Sequence, residues 1–299
     1  MDPILIPIKQ DKPGFDRFIG SWLYQGRHPI VVDVGPSRSI NILVRRLSEL
    51  DVKRVDFVLL THIHIDHAGG LAEFLKAFPM ARVICHAKAI RHLVDPAKLR
   101  LGTQKSLGEL AFTYGPISPV NKETLIPHTE AHIPDLEIVE TPGHAPHHLS
   151  YFYEGNLFVG EAAGVYLTAG GLEYLRPATP PTFFLKEFVE SLERLLIQEN
   201  SPIFYGHFGK AGMSRPMLKR AKDQLFFWEK IISEELSTGH ENPVEQCMKR
   251  LLREDFEMKA FEMMTPEDQA RERFFLKNSV KGYAGYLQAL SSDPLEHRP

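Results

Sequence analysis

The chain of 299 residues predicts an α/β fold that is followed by a helical extension. Two observations lead to this prediction. Through the first third of the chain, apolar β-branched runs alternate with segments of helical periodicity, which is typical of helices layered on a sheet. After Pro216, strand signals disappear and long, charged, amphipathic segments follow. We therefore predict a main domain over residues 1–215 and a helical extension over residues 216–299.

The main domain contains alternating strand and helix signals. Strands are expected at 15–24, 29–34, 55–60, 82–86, 136–140, 149–153, 156–159 and 203–205. Helices are expected from Ser37, after Gly70, over 87–93, over 96–110 and around 184–195. Residues 112–135 are rich in proline and threonine and predict a long irregular or strand-containing connection. Residues 164–181 contain repeated glycines and prolines, which predicts a surface loop.

The strand at 55–60 leads into residues 61–70, the metal loop, which contain a dense cluster of polar residues. Four potential metal ligands, His62, His64, Asp66 and His67, occupy six positions. Imidazole and carboxylate groups suit zinc and similar divalent ions. An extended backbone projects His62 and His64 to the same side, whereas Asp66 and His67 follow where the chain turns toward a helix. These residues can therefore face two neighbouring ions.

Three further residues lie at the carboxyl end of a predicted strand, each beside glycine. They are His144, Glu161 and His207. Sites assembled at strand ends are usual in layered α/β folds. Two adjacent ions would need a carboxylate between them to offset their repulsion, and Glu161 is the residue available for this role. The sequence thus predicts a metal site with seven ligands drawn from four segments.

Other polar residues lie near strand ends or in the irregular connection. Asp33 interrupts an apolar strand, and two roles fit it equally well: a turn or helix cap, or a partner that holds the metal loop. His86 ends a strand, where a structural role is favoured over support of the metal loop. His128 and His132 lie in the irregular connection and are expected not to bind metal.

The composition limits the class of protein. Hydrophobic residues make up 43% and charged residues 24% of the chain, as in a soluble globular protein. The formal net charge of -3 argues against a nucleic-acid or membrane partner that is bound through bulk charge. Two distant cysteines favour a reducing compartment. Because no secretory signal and no apolar stretch of about 20 residues is recognisable, a cytoplasmic protein is expected.

The run from His62 to His67 resembles in full the HxHxDH motif of the metallo-β-lactamase-fold hydrolase superfamily, and the resemblance covers roughly residues 15–215. It implies an αββα sandwich with two divalent metal ions, for which zinc is expected and iron or manganese are alternatives. By this resemblance, one ion is bound by His62, His64 and His144, and the other by Asp66, His67 and His207. Glu161 stands where the superfamily usually has a bridging aspartate, so this chain departs from the pattern by one methylene.

Two segments, Pro142–His148 and Gly160–Gly164, are similar to the hydroxyacylglutathione-hydrolase-like group, also called the glyoxalase II-like group. Within the first segment, His148 is expected to support a ligand and His147 to lie at the surface. Substrate choice is expected to lie in residues 95–135, in 164–181 and in the extension. Four residues could line a pocket near the metals or could equally be structural: Tyr166, Tyr174, Arg176 and Phe184.

The resemblance implies a hydrolase that uses a metal-bound hydroxide on an ester, thioester or lactone, with Asp66 orienting the hydroxide. An iron-dependent redox enzyme of the same fold is one alternative, although oxygen-reducing relatives have glutamate in place of His64. A phosphodiesterase or nuclease is another, and the net charge counts against it. The expected partner is a small-molecule substrate, and no nucleic acid or membrane is expected. The extension is a candidate contact for a homodimer.

Overall fold

The structure, a computed structural model that describes residues 2–292, consists of two mixed sheets that face each other, with helices on their outer sides. The strands are β1 (Ile4–Pro7), β2 (Gly20–Gln25), β3 (Pro29–Val32), β4 (Phe57–Leu59), β5 (Arg82–Cys85), β6 (Leu125–Pro127), β7 (Leu136–Glu140), β8 (Leu149–Tyr153), β9 (Asn156–Gly160), β10 (Val165–Ala169), β11 (Leu172–Arg176), β12 (Ile203–Tyr205) and β13 (Lys210–Ala211). The first sheet has the order β1-β2-β3-β4-β5-β6, and β3 to β6 run parallel. The second has the order β13-β12-β9-β8-β7, and β10 pairs with β11 separately.

Aromatic side chains fill the space between the two sheets. Trp22 and Tyr24 of the first sheet pack with Tyr151 and Phe158 of the second, and all four are at most 4% exposed. The Tyr151 hydroxyl donates a hydrogen bond of 2.6 Å to the Leu60 carbonyl oxygen, so the polar end of this ring is satisfied across the interface. The αββα sandwich predicted from the sequence is confirmed.

The helices present apolar residues at helical spacing to the sheets. In α1, for example, Ile40, Leu43 and Leu47 are buried on one face. The α-helices are α1 (Ile40–Glu49), α2 (Ile65–Ala68), α3 (Leu71–Ala77), α4 (Ile90–Val94), α5 (Ala97–Leu107), α6 (Leu110–Tyr114), α7 (Leu185–Leu196), α8 (Ser214–Ser237), α9 (Pro243–Glu254) and α10 (Pro266–Ser292). Short 3-10 turns lie at Ser37–Ser39, Ala87–Ala89, Lys122–Thr124 and His128–Glu130, and a longer one at Phe256–Met263.

Helices α8 to α10 pack directly against the sandwich. Leu276, Val280 and Tyr283 of α10 are fully buried and belong to the same hydrophobic cluster as Leu23 and Val31 of the first sheet. The Tyr283 hydroxyl donates to the Leu225 carbonyl oxygen at 2.9 Å, which ties α10 to α8. Among the residues that the structure describes, no helix combines the length and apolarity needed to cross a membrane.

The prediction of a surface loop over residues 164–181 is wrong. This segment forms the hairpin of β10 and β11, and its Val165 and Tyr174 are completely buried. The glycines that suggested a loop, Gly170 and Gly171, form only its turn, where both have positive φ values of 56° and 79°. Strands β1 and β13 were not predicted either, because runs of four and two residues carry too little periodicity to be recognised.

Candidate metal centre

Four segments bring the seven predicted ligands together at the carboxyl ends of strands. These segments are the loop after β4 with helix α2, and the loops after β7, β9 and β12. Five of the seven side chains are buried, while His64 and Asp66 are half-buried and face an open cavity. Gly160 precedes Glu161 with a φ of 60°, and a Cβ there would lie 2.5 Å from the His148 ring. Only glycine lets the chain turn this closely beside the site.

The first group of side chains consists of His62, His64, His144 and Glu161, whose potential ligand atoms all lie within 4.8 Å of one another. His64 Nδ1 lies 3.0 Å from His62 Nε2 and 2.9 Å from His144 Nε2. Glu161 Oε2 lies 3.0 Å from His144 Nε2. Two nitrogens bound to one tetrahedral zinc ion with bonds of about 2.0–2.1 Å are about 3.3 Å apart. The spacing of this group therefore suits one ion after a small expansion.

The second group consists of Asp66, His67 and His207. Asp66 Oδ2 lies 3.9 Å from His67 Nε2 and 3.7 Å from His207 Nε2. His67 Nε2 is buried and has no hydrogen-bond partner. A buried nitrogen that faces two carboxylates but forms no hydrogen bond is free to bind a metal ion.

Glu161 lies between the two groups. Its Oε2 is 3.4 Å from His67 Nε2 as well as close to His144, and its Oε1 is 3.5 Å from His207 Nε2. Burial alone would raise the pKa of Glu161, but the neighbouring His144 and His207 hold it well below its ordinary value. Glu161 is therefore ionised, and its side chain, one methylene longer than that of aspartate, reaches residues of both groups.

The other ring nitrogen of most of these histidines meets an oxygen acceptor. His144 Nδ1 lies 3.0 Å from the Ala178 carbonyl oxygen, and His207 Nδ1 lies 3.2 Å from the Phe18 carbonyl oxygen. Such partners place the proton on Nδ1 and leave the Nε2 lone pair free for a metal. His64 is the exception, because it turns Nδ1 rather than Nε2 toward the group. The two carbonyls belong to distant segments, so no sequence pattern could have revealed them.

Asp33 holds the metal loop, which was one of its two predicted roles. Its Oδ1 accepts the Thr61 backbone N–H at 2.8 Å, and its Oδ2 accepts the Thr61 hydroxyl at 2.7 Å and lies 2.8 Å from His67 Nδ1. The Thr61 hydroxyl in turn lies 3.0 Å from His62 Nδ1. One carboxylate thus orients a histidine of each group. Asp33 adopts a φ of 55°, a left-handed conformation that aspartate tolerates better than most residues.

Burial and the neighbouring imidazoles keep the pKa of His62 and of His64 well below the ordinary value. Neutral imidazole is the form that binds a metal ion. Burial also lowers the pKa of His67, but Asp66 and Asp33 outweigh this effect and raise it well above the ordinary value. The two carboxylates therefore favour positive charge, whether from a proton or from a metal ion, at this position.

His148 lies in the interior, whereas the neighbouring His147 lies in the wall of the cavity. His148 is fully buried, and its Nε2 accepts the Glu161 backbone N–H at 3.0 Å, so it fixes the Glu161 backbone as a supporting residue. His147 was expected at the surface, but it is half-buried in the cavity wall with an unpartnered, buried Nδ1. Burial lowers the pKa of His147 to about 4, so this ring is neutral at neutral pH.

The extension takes part in the surroundings of the centre. The Phe18 ring stacks on the His207 ring, with 4.2 Å between the ring centroids, and on the Phe275 ring of α10, with 5.1 Å between the centroids. Of the four residues considered for the pocket, Arg176 and Phe184 line the cavity. Tyr166 and Tyr174 instead lie in the buried core beneath it.

A third cluster of potential ligands, the outer cluster of His86, His128 and Glu140, lies outside the centre. His128 Nε2 is 2.8 Å and His86 Nε2 is 3.7 Å from the Glu140 carboxylate. Both Nδ1 atoms accept backbone N–H groups, from Lys88 to His86 and from Ala87 to His128. The proton of each neutral ring must therefore be on Nε2, where it faces Glu140. This arrangement favours hydrogen bonding over metal binding.

Two facing sheets with two adjacent ligand groups at their strand ends define a class of proteins. Members of this class bind divalent metal ions at that edge. Residues 16–207 match the metallo-beta-lactamase superfamily, and the chain belongs to this superfamily. The family resemblance predicted from the HxHxDH motif is thereby confirmed.

Individual relatives agree with this assignment. The metallo-beta-lactamase fold-containing protein ST1585 of Sulfurisphaera tokodaii is 30% identical over 189 residues, which are 60% of this chain and 68% of that protein. The crystal structure of ST1585 superposes with a TM-score of 0.70 at 22% identity and covers 95% of this chain and 98% of that chain. A hydroxyacylglutathione hydrolase of Aeromonas hydrophila is 29% identical over 195 residues, 64% of this chain and 61% of that enzyme.

Proposed function

We propose that this protein is a hydrolase with two zinc ions that cleaves an ester, thioester or lactone. The observation that carries the proposal is the convergence of seven side chains in two groups joined by Glu161. His62, His64 and His144 would hold one ion, Asp66, His67 and His207 the other, and Glu161 would bridge them. When bound, the ions would supply Lewis-acid activation of water and of the substrate carbonyl.

The residues of the chain supply the remaining parts of the reaction. Asp66 is half-buried in the cavity wall, so its carboxylate can accept a hydrogen bond from a water molecule and receive the proton of that water as it attacks the acyl carbon. The bond from the carbonyl carbon to oxygen or sulfur then breaks, and Asp66 can return the proton to the alcohol or thiol that leaves. Asp33 and the carbonyls of Ala178 and Phe18 keep the histidines oriented during this reaction.

The test compares zinc-, iron- and manganese-loaded protein on esters, thioesters, lactones and a phosphodiester, with metal content measured on each sample. We expect hydrolysis of at least one acyl class that a chelator abolishes and zinc restores. Asp66→Asn should lower kcat by about 100- to 10,000-fold while circular dichroism stays unchanged. Activity confined to the phosphodiester, an iron-linked redox reaction, or full turnover in Asp66→Asn would each contradict the proposal.

A further inference from the structure

A cavity of about 640 Å³ opens beside the two ligand groups. Pockets for small molecules commonly have volumes of about 300–1,000 Å³, so this cavity is large enough for far more than a reacting carbonyl. Its walls come from α5, from residues 176–184, and from Phe275, Asn278 and Ser279 of α10. Most of the cavity wall therefore comes from segments other than the loops that carry the seven proposed metal ligands.

The walls of the cavity are largely apolar. Side chains from four different segments contribute hydrocarbon surface: Ile63, Ile65, Leu99, Leu107, Phe184 and Phe275. Burying hydrocarbon against such walls is favourable in proportion to the apolar area removed from water. A ligand that fits this surface must carry an apolar part.

The charged residues of the wall leave no surplus of positive charge. Apart from the proposed metal ligands, the charged lining residues are Arg176, Lys98 and Glu187. Arg176 is bound to Glu272 through a hydrogen bond of 2.6 Å, and both side chains are buried. Lys98 and Glu187 are exposed and of opposite sign. A substrate with a carboxylate or phosphate beyond the reacting group would therefore find no unpaired buried cation to bind it.

We propose that the substrate is an uncharged acyl compound whose apolar acyl arm occupies the cavity between α5 and α10. This inference rests on the proposed hydrolase function and adds the class of substrate to it. It separates this chain from a hydrolase that recognises its substrate through a charged thiol part such as glutathione.

Helix α5 sets the length of the arm that the cavity accepts. Only Thr103 of its eleven residues is buried, so the helix covers the cavity without being part of the core. Gly102 lines the cavity, and apart from its chain neighbours and the backbone of its own helix, no atom lies within 4 Å of the position its Cβ would take. Gly102→Phe therefore has room for its ring and is expected to shorten the cavity. Gly285 of α10 is also helical and exposed, and its Cβ position is equally free of atoms from other segments, but it does not line the cavity. Gly285→Phe is therefore a matched control.

The binding experiment uses methyl alkyl ketones of increasing chain length, which are uncharged and have no bond to hydrolyse. Calorimetry on the zinc-loaded protein should give an affinity that rises about fourfold for each added methylene over a short series. Gly102→Phe should weaken binding of the longest ketones at least tenfold, while Gly285→Phe binds them as the unchanged protein does. An affinity independent of chain length in the unchanged protein, or equal losses in both variants, would overturn the inference.

The turnover experiment separates this inference from the proposed function. Acyl thioesters of N-acetylcysteamine, which is neutral, are compared with glutathione thioesters of the same acyl groups. We expect kcat/KM to rise at least tenfold from acetyl to octanoyl and to favour the neutral thiol part. Hydrolysis that ignores acyl length or prefers glutathione overturns the inference but leaves the hydrolase function. Ketone binding that follows chain length without turnover of any acyl compound overturns the hydrolase function, and the ligand class of the cavity is supported.

Discussion

Two regions of the molecule combine histidines with glutamate, and their ring nitrogens are used in opposite ways. In the metal centre, His144 and His207 direct Nδ1 toward backbone carbonyl oxygens, so the lone pair of Nε2 points inward. In the outer cluster, His86 and His128 accept backbone N–H groups on Nδ1, so the Nε2 proton points at Glu140. Both regions use the same residue types. They differ in whether the backbone partner of Nδ1 is a carbonyl oxygen or an N–H group.

This difference distinguishes a group of histidines whose tautomers suit metal binding from a group whose tautomers do not. A carbonyl or carboxylate partner prepares the ring to donate a lone pair, whereas an N–H partner prepares it to donate a proton. Burial agrees with this distinction. The side chain of Glu161 is 6% exposed, whereas that of Glu140 is 52% exposed and can be hydrated without an ion.

The largest expected effect is on metal content. Protein stripped with a chelator and dialysed against zinc should contain two ions, and His62→Ala should retain at most one, with an affinity loss at the changed position of more than about 100-fold. His128→Ala is the control and should retain two ions, since its Nε2 carries a proton. Atomic absorption on the same preparations decides the question. Loss of zinc from His128→Ala would show that the tautomer argument fails.

Replacing Asp33 tests the orientation of the rings. In Asp33→Asn, an amide nitrogen would replace one of the oxygens that contact Thr61 and His67, so we expect zinc affinity to fall about 10- to 100-fold. The unfolding free energy should fall by about 1–3 kcal/mol, because buried donors lose their acceptor. Asp56→Asn is the matched control. Asp56 Oδ2 also contacts a histidine, His28 Nδ1 at 3.0 Å, but away from the metal centre.

Zinc titration monitored by a competing chelator measures the first effect, and urea unfolding of the zinc-free proteins measures the second. If Asp33→Asn binds zinc as tightly as Asp56→Asn does, the carboxylate does not orient the ligands.

The smallest expected effect concerns the outer cluster. The hydrogen bond from His128 lowers the pKa of Glu140 below its ordinary 4.5, and His86 and Lys88 contribute in the same direction. A carboxyl group whose pKa is lower in the folded state stabilises the protein above its ordinary pKa. That contribution is lost as the pH falls through the lowered pKa. Because Glu140 is exposed, we expect it to amount to less than about 1 kcal/mol.

Thermal unfolding of the unchanged protein and of Glu140→Gln, followed across the acid range, measures this contribution. The Tm difference should be constant at neutral pH and vanish in acid, with turnover equal in the two proteins at neutral pH. A difference that grows as the pH falls would contradict the sign of the shift.

Much of the fold could be predicted from the sequence, since β-branched runs and helical periodicity report which faces are buried. Strands β4, β5, β8 and β9 lie within or beside their predicted positions. The hairpin of β10 and β11 was missed because its turn glycines and the prolines that follow it resemble those of a loop, and its burial depends on the helices that cover it. That the seven ligand side chains lie close together could also be predicted, because each follows the carboxyl end of a predicted strand.

The sequence by itself determined the kind of protein and the ligand types, because four potential ligands within six residues can reach the same ions through local folding of one short segment. Only the tertiary structure decided which histidines present a lone pair, since that depends on contacts such as those of Asp33, Ala178 and Phe18, which lie far away in sequence. The position of α10 was likewise decided by packing. An amphipathic pattern indicates that a helix has a buried face, but the partner of that face is chosen by the shape and charge of the whole molecule.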